Sequence, residues 1–155
     1  HRVVELSLLF FGAMKAKSRG FILNVTSLAA FLPIPYQSVY SAAKAATQVF
    51  SECLAQENRG SPVLVSTFAP SGMYTDMIER AGLRRHMERH RLSYIDTERA
   101  ARVIIRGVKR GKRLIIPGFF NRLLYHLVDL VPRGVLLASA EKIFRYERYR
   151  ISGDE

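Results

Sequence analysis

Three short apolar runs, each separated from the next by a helical stretch, most constrain how this chain can fold. They are FILNV at 21–25, VLVSTFA at 63–69 and RLIIP at 113–117. Runs this short and this uniformly apolar are typical of strands buried on both faces, as in a parallel sheet. Strands separated by helices favour right-handed crossovers between parallel neighbours. The sequence therefore predicts an α/β fold in which 21–25, 63–68 and 113–116 are adjacent parallel strands.

Helical patterns fill the segments between and around these strands. Apolar residues recur at helical spacing over 3–16, and 37–58 is a long alanine-rich stretch that would form the crossover between the first two strands. Residues 96–111 predict a further helix with a capping residue at its start. Between these, residues 70–77 predict a turn followed by a short helix, and 78–95 a basic helical lid or surface segment.

The net charge limits which classes of binding partner are expected for the chain. The chain carries 24 Lys and Arg against 13 Asp and Glu, a formal net charge of +11. Such a surface fits a solvated basic face, nucleic acid or an anionic membrane. No RNA-binding aromatic motif or helix-turn-helix pattern accompanies the charge, so nucleic acid is not an expected partner. No metal site is expected either, because His86 and His90 lack the glutamate of an HExxH motif and stand among arginines.

The single cysteine, Cys53, rules out an internal disulfide. Its helical and apolar setting predicts a small buried side chain in a reducing compartment. The expected location is therefore cytoplasmic, with membrane association left open.

Three side chains able to do acid–base chemistry flank the loop between the first strand and the long helix. Ser27 follows the strand, and in open α/β sheets ligands bind beyond the carboxyl ends of the strands. Tyr40 and Lys44 lie at i and i+4, on one helix face. A phenol holds its proton too tightly for catalysis near neutral pH, and a neighbouring ammonium favours the phenolate. Ser27 could then bind a substrate oxygen while Tyr40 gives or takes its proton. Taken singly, Ser27 could equally cap the strand end, and Tyr40 could be a half-buried helix tyrosine.

The spacing of these residues resembles a known active site. Ser27, twelve residues, Tyr40, three residues and Lys44 fit the Ser-Tyr-Lys pattern of the short-chain dehydrogenases/reductases without a gap. NVTS at 24–27 resembles the end of that family's fifth strand, and PSGMYT at 70–75 resembles its Pro-Gly-x-Val-x-Thr turn. The resemblance extends over the strand-and-helix part of the chain.

The resemblance implies hydride transfer between NAD or NADP and a carbonyl or alcohol substrate, with Ser27, Tyr40 and Lys44 catalytic. Lys44, with Tyr40 beside it, would also hold the nicotinamide ribose. The turn after the second strand would contact the carboxamide end of the cofactor through Pro70, Ser71, Gly72, Met73 and Thr75. Ser71 stands where the family has Gly, so the turn geometry is expected to differ there.

The chain contains no sequence resembling the family's Thr-Gly-x-x-x-Gly-x-Gly turn, which binds the pyrophosphate. Residues 1–117 are therefore expected to be the C-terminal part of a Rossmann-type, doubly wound parallel sheet from a longer protein, and residues 1–155 to be inactive alone. Residues 118–155 are expected to form a tail of two amphipathic helices. The alternative is a non-catalytic remnant or interaction module that keeps the fold without binding a dinucleotide.

Two surfaces could meet partners. The tail fits a helix on a membrane interface, a lid over an apolar substrate, or a helix packed on its own core, and the sequence leaves the three open. Similar tails in the family suggest a bulky or lipid-like carbonyl substrate. The helix with Tyr40 carries a stripe predicted as a packing face: Val39, Ala42, Ala43, Ala46, Val49 and Phe50. Because such faces often form the dimer contact in the family, the resemblance implies a homodimer through this helix.

Overall fold

The computed structural model describes residues 2–74 and 93–152, with side chains as far as Arg145 in the second range. Within these ranges the helices are α1 (Arg2–Ala16), α2 (Ser38–Glu57), α3 (Thr97–Lys109), α4 (Phe119–Leu127) and α5 (Arg133–Ser152), with 3-10 turns at Leu28–Ala30 and Val128–Leu130. The strands are β1 (Gly20–Val25), β2 (Val63–Phe68), β3 (Gly72–Tyr74), β4 (Tyr94–Asp96) and β5 (Leu114–Ile115).

One parallel sheet contains β1, β2 and β5, in that order. β1 pairs with β2 along its whole length, from Gly20 opposite Val63 to Val25 opposite Phe68. β2 then pairs with β5, where Phe68 lies opposite Ile115. The prediction of three adjacent parallel strands, with α2 as the crossover helix between the first two, is therefore confirmed.

A second, two-stranded parallel sheet joins β3 to β4, with Gly72 opposite Tyr94 and Met73 opposite Ile95. The sequence predictions of a turn and short helix at 70–77 and of a helical segment at 78–95 are wrong at these strands. The reason is tertiary packing, since Ile95 is buried in a cluster with Phe68 of the main sheet and Met73 packs against it. The rest of both predicted segments lies outside the described residues.

Close packing in this small sheet leaves no space for a side chain at Gly72. A Cβ placed there would come within 2.4 Å of the Tyr94 ring. β4 then leads directly into α3, because Asp96 ends the strand and its Oδ1 accepts a hydrogen bond from the Arg99 amide at 2.7 Å.

Leu54 and Ala55 pack α2 on Ile22 and Val65, and polar side chains join the helix to the carboxyl-terminal part of the main sheet. Asn24 donates through Nδ2 to Ser51 Oγ at 2.9 Å, and Thr26 donates through Oγ1 to Gln48 Oε1 at 2.9 Å. Gln48 in turn donates through Nε2 to Thr67 Oγ1 at 3.1 Å. All five side chains are buried. We call them the polar layer; it fixes both the rotation and the register of α2 on β1 and β2, because a buried polar group without a partner is costly.

The packing face predicted for α2 is consequently wrong. Val39 and Val49 are 83% and 58% exposed, and the three alanines of the stripe are exposed too. Of the predicted stripe, only Phe50 packs against the core. The prediction that Cys53 is buried is also wrong, because its side chain is exposed. The strands offer α2 polar groups at these positions, so the helix turns its polar face inward.

Apolar side chains lie on two faces of α4. Leu124 and Tyr125 pack on the core cluster at the carboxyl edge of the main sheet, and the Tyr125 ring meets Phe31 edge-on with centroids 4.8 Å apart. The other face, with the 3-10 turn that follows the helix, exposes a row of large apolar side chains: Phe119, Phe120, Leu123, Leu127 and Leu130. We call this set the α4 apolar row. Across residues 2–74 and 93–152, no helix combines the length and the apolar character that crossing a bilayer takes.

Candidate active site

The loops that leave β1 and β2 are held together at the carboxyl edge of the sheet. The Thr26 amide donates to Phe68 O at 2.8 Å, and the Leu28 amide donates to Pro70 O at 2.9 Å. Ser27 lies between these two bonds and is 5% exposed. Backbone hydrogen bonds on both sides therefore fix its position just beyond the end of β1.

The hydroxyl of Ser27 is only weakly held. Its Oγ accepts a hydrogen bond from the Ala29 amide at 3.2 Å, which caps the following 3-10 turn. The same hydroxyl donates to Pro70 O at 3.4 Å. This is longer than the roughly 3.0 Å upper end of ordinary O–H···O bonds. The hydroxyl hydrogen can therefore turn towards a substrate oxygen at little cost.

Lys44 connects Tyr40 to the end of β1. Its Nζ donates to the backbone carbonyl of Val25 at 3.1 Å and lies 5.7 Å from the centre of the Tyr40 ring. That separation is within the range of cation–π attraction. Tyr40 itself is 46% exposed, so one side of the residue is open to solvent.

The structure thus brings Lys44 to Tyr40 and to a point two residues before Ser27. Among the described residues no hydrogen bond joins Ser27 to Tyr40, so their convergence on one substrate oxygen stays a prediction. Burial raises the pKa of a different tyrosine, Tyr125, with smaller contributions from the carboxylates of Glu52 and Asp129. Its hydroxyl stays protonated near neutral pH and is not suited to act as a base.

Gln48 orients the helix that carries the two candidate residues. Tyr40, Lys44 and Gln48 follow one another at i, i+4 and i+8 on α2, in a single row. Because Gln48 bonds to both Thr26 and Thr67, this row is held towards the main sheet. The Ser-Tyr-Lys pattern does not include Gln48. A polar residue one turn beyond Lys44 in an alanine-rich helix is the sequence feature that indicates it.

The residues expected at the cofactor lie along the chain that leaves β2. Pro70 is buried, Ser71 is exposed, and Gly72 and Met73 are half-buried in β3. Thr75 lies outside the described residues, as do His86 and His90. Within the described ranges no three His, Cys, Asp or Glu side chains are grouped in a way that could hold a metal ion.

These groups fit one end of a nicotinamide nucleotide. Its ribose hydroxyls need a donor such as the Lys44 ammonium, and its carboxamide needs backbone N–H and C=O groups such as those of residues 71–73. The described groups match in kind, and both sets lie at the carboxyl edge where β1 and β2 end.

A cavity of about 1220 Å³ lies nearby, between α3, β5 and α4. Its walls include apolar and aromatic side chains such as Tyr94, Ile116 and Phe120, with Arg106 and Arg110 among its polar lining. Of the described residues that line it, none is Ser27, Tyr40 or Lys44.

Known proteins resemble the chain in both sequence and fold. Residues 2–86 match the family model described as short chain dehydrogenase. Over 153 residues the chain is 24% identical to 17-beta-hydroxysteroid dehydrogenase type 3 of Rattus norvegicus, an alignment covering 95% of this chain and 45% of that protein. It is 35% identical over 68 residues to very-long-chain 3-oxoacyl-CoA reductase of Mus musculus, covering 44% of this chain and 22% of that protein.

A solved structure shares the fold. The short-chain dehydrogenase from Sphingobium yanoikuyae in complex with NADPH matches with a TM-score of 0.67 at 21% identity, covering 86% of this chain and 51% of that one. The chain therefore spans about half the length of the hydroxysteroid dehydrogenase and of this solved structure. Because the family model covers more than half of the chain, and a solved member shares its parallel sheet, the chain belongs to the short-chain dehydrogenase family.

Proposed function

We propose that the complete protein is an oxidoreductase that transfers a hydride between NAD(P) and a carbonyl or alcohol substrate. The observation that carries this proposal is the position of Lys44, whose Nζ joins the ring of Tyr40 to the end of β1, two residues before Ser27. Membership of the short-chain dehydrogenase family supports it, because the three residues fit that family's Ser-Tyr-Lys pattern.

In this proposal the three side chains divide the work on one substrate oxygen. Ser27 turns its hydroxyl hydrogen away from Pro70 O and donates it to that oxygen. Tyr40 gives its proton to the oxygen when a carbonyl is reduced, and takes the proton back when an alcohol is oxidised. Lys44, anchored by the Val25 carbonyl, stabilises the negative charge that then develops on the Tyr40 oxygen.

The nicotinamide end of the cofactor would be held by Lys44 with Tyr40 beside it, and by Pro70, Ser71, Gly72, Met73 and Thr75. When bound, NAD(P) supplies or accepts the hydride. The NADPH complex of a protein with the same fold supports NAD(P) as the cofactor.

We infer that the substrate is apolar, bulky or lipid-like. Relatives named for a hydroxysteroid and for a very-long-chain 3-oxoacyl-CoA support this class.

The test is carbonyl-dependent oxidation of NAD(P)H by the complete protein and by its Tyr40→Phe variant, over a series of ketones of increasing size. We expect turnover by the natural protein and its loss in the variant. A natural protein that oxidises no NAD(P)H with any ketone would instead fit the non-catalytic module.

We further propose a homodimer through α2. The exposed face of that helix, with Val39 and Val49 separated by alanines, suits close approach of a second helix. Light scattering of the complete protein is expected to give the mass of two chains, and Val49→Glu is expected to halve it. A monomeric natural protein would contradict the proposal.

The α4 apolar row is proposed to rest on an anionic membrane surface. Phe119 and Leu130 are 75% and 76% exposed, and basic side chains flank the row at Arg122 and Arg133. Apolar side chains that enter the headgroup region beside cations are the usual features of a peripheral membrane contact.

The membrane proposal predicts binding to phosphatidylcholine vesicles that contain phosphatidylglycerol, and much weaker binding without it. Leu127→Ser is expected to weaken the binding about tenfold, since it removes one large apolar group from the interface. Leu9→Ser on α1 is the matched control, because Leu9 is also exposed and lies outside the row. Equal binding by the two variants would count against the row, as would binding that ignores lipid charge. Cosedimentation with the vesicles measures the binding of each variant and its dependence on lipid charge.

A further inference from the structure

A bridge of three side chains joins the loop between Ser27 and Tyr40 to the C-terminal helix. Tyr36 donates its hydroxyl hydrogen to Glu141 Oε1 at 3.2 Å, and Arg145 Nε donates to the Tyr36 oxygen at 3.3 Å. Arg145 also pairs with Glu141 one turn earlier on α5. The tyrosine hydroxyl is thus donor and acceptor at once. We call Tyr36, Glu141 and Arg145 the latch.

The latch adds to a loop that its own backbone turn already closes, since the Gln37 amide donates to Ile34 O at 3.1 Å. Tyr36 is the third residue of that turn and has φ 68°, in the left-handed region that non-glycine residues seldom adopt. Gln37, the capping residue of α2, makes no side-chain hydrogen bond to the first turn of the helix. The Ile34 amide also donates to Ser41 Oγ, at 3.3 Å.

The bridge connects α5 to the loop before α2, whereas its two charged residues both lie on α5. Glu141 and Arg145 alone would be an exposed i, i+4 pair, which contributes little to stability. Tyr36 makes the difference, because it connects that pair to a loop 105 residues earlier in the chain. Hydrogen bonds from Arg145 and Tyr36 lower the pKa of Glu141, so its carboxylate stays ionised near neutral pH.

We propose that the latch positions the first turn of α2, so that the C-terminal helix sets how precisely Tyr40 meets the substrate. Tyr36 stands four residues before Tyr40, directly ahead of the helix start. The three latch residues are positioning residues and act through Tyr40 rather than on the substrate. The effect on turnover rests on the proposed function; the effect on the loop does not.

Two readouts on the complete protein test the latch: amide hydrogen exchange over residues 34–41, and the separate values of kcat and KM. Tyr36→Phe and Arg145→Gln are each expected to speed exchange about fivefold, the factor that one lost hydrogen bond of ordinary strength gives. We expect kcat to fall by a similar factor while KM changes little. The double variant is expected to do no more than either single one, because both break the same bridge.

Lys142→Gln is the matched control, since it removes one exposed positive charge from the same turn of α5. Tyr36 and Arg145 are both exposed, so neither change is expected to unfold the protein. Exchange that stays unchanged in either variant overturns the latch, with or without turnover. Faster exchange with an unaltered kcat overturns its positioning role. If the natural protein has no turnover, the proposed function fails, while exchange still decides whether the latch holds the loop.

Discussion

Replacing Tyr40 by phenylalanine in the complete protein is expected to lower kcat by roughly two to four orders of magnitude. This is the rate enhancement that a positioned proton donor usually contributes. The change removes only the hydroxyl. The ring beside Lys44 remains, so the Lys44 bond to the Val25 carbonyl should persist. Affinity for NAD(P)H should therefore be nearly unchanged, because the groups proposed to hold the cofactor stay in place. Steady-state kinetics and a calorimetric titration measure the two effects separately.

Tyr125→Phe provides the control for that experiment. It removes the same hydroxyl from a residue at the same edge of the sheet, where burial keeps the phenol protonated. We expect this variant to keep nearly all of its turnover. Turnover retained by the Tyr40 variant, or lost equally in both, would remove Tyr40 from the role of acid.

Residues 1–155 produced alone are expected to bind neither NAD nor NADP at useful concentrations. The groups that fit a dinucleotide here are those at its nicotinamide end, and the sequence has no glycine-rich turn of the kind that binds the pyrophosphate. Each missing hydrogen bond costs on the order of 1 kcal/mol, and about 1.4 kcal/mol is a factor of ten in affinity. A micromolar site would weaken towards millimolar or beyond. A calorimetric titration with each cofactor measures this, and binding at low micromolar concentration would contradict it.

The same 155 residues are also expected to self-associate. Among the described strands β1 pairs only with β2, so its outer edge is open, and Phe21 and Val25 on this strand are 55% and 50% exposed. Leu9 and Phe10 on α1 are 67% and 52% exposed. Open strand edges and large apolar patches are common causes of association between chains. Light scattering over a dilution series is the measurement, and a monomer at all concentrations would be the contrary result.

The strands of the main sheet could be predicted because their signal is local. FILNV, VLVSTF and RLII are short, mostly apolar and bounded by turn residues, which is typical of strands inside a parallel sheet. The candidate active-site residues could be named for a similar reason, since Ser27, Tyr40 and Lys44 stand at fixed spacing. The hydrogen-bond partners of these residues cannot be predicted in this way, because nothing near Lys44 in the sequence specifies the Val25 carbonyl as its acceptor.

Other features depend on contacts between distant parts of the chain. β3 and β4 are three residues each, and they are strands because they pair with one another, not because their sequences favour it. The inward face of α2 is set by Asn24, Thr26 and Thr67 on the sheet, which a helical pattern cannot show. Likewise, nothing in the sequence around Tyr36 indicates its hydrogen bond to Glu141, because Glu141 lies on a helix far along the chain.

The polar layer beneath α2 also selects one alignment of that helix over its competitors. The alanines in the first half of α2 are exposed or only half-buried, so their apolar contacts do little to stop the helix from sliding one turn along β1. Sliding would separate Gln48 from Thr26 and Thr67, and Ser51 from Asn24. At about 1–3 kcal/mol for each buried group left unbonded, the misaligned form would lose a large part of a typical domain's stability of about 5–15 kcal/mol. The alanine-rich helix α2 is therefore held in one position on the sheet, and this also fixes the position of Tyr40 near its start.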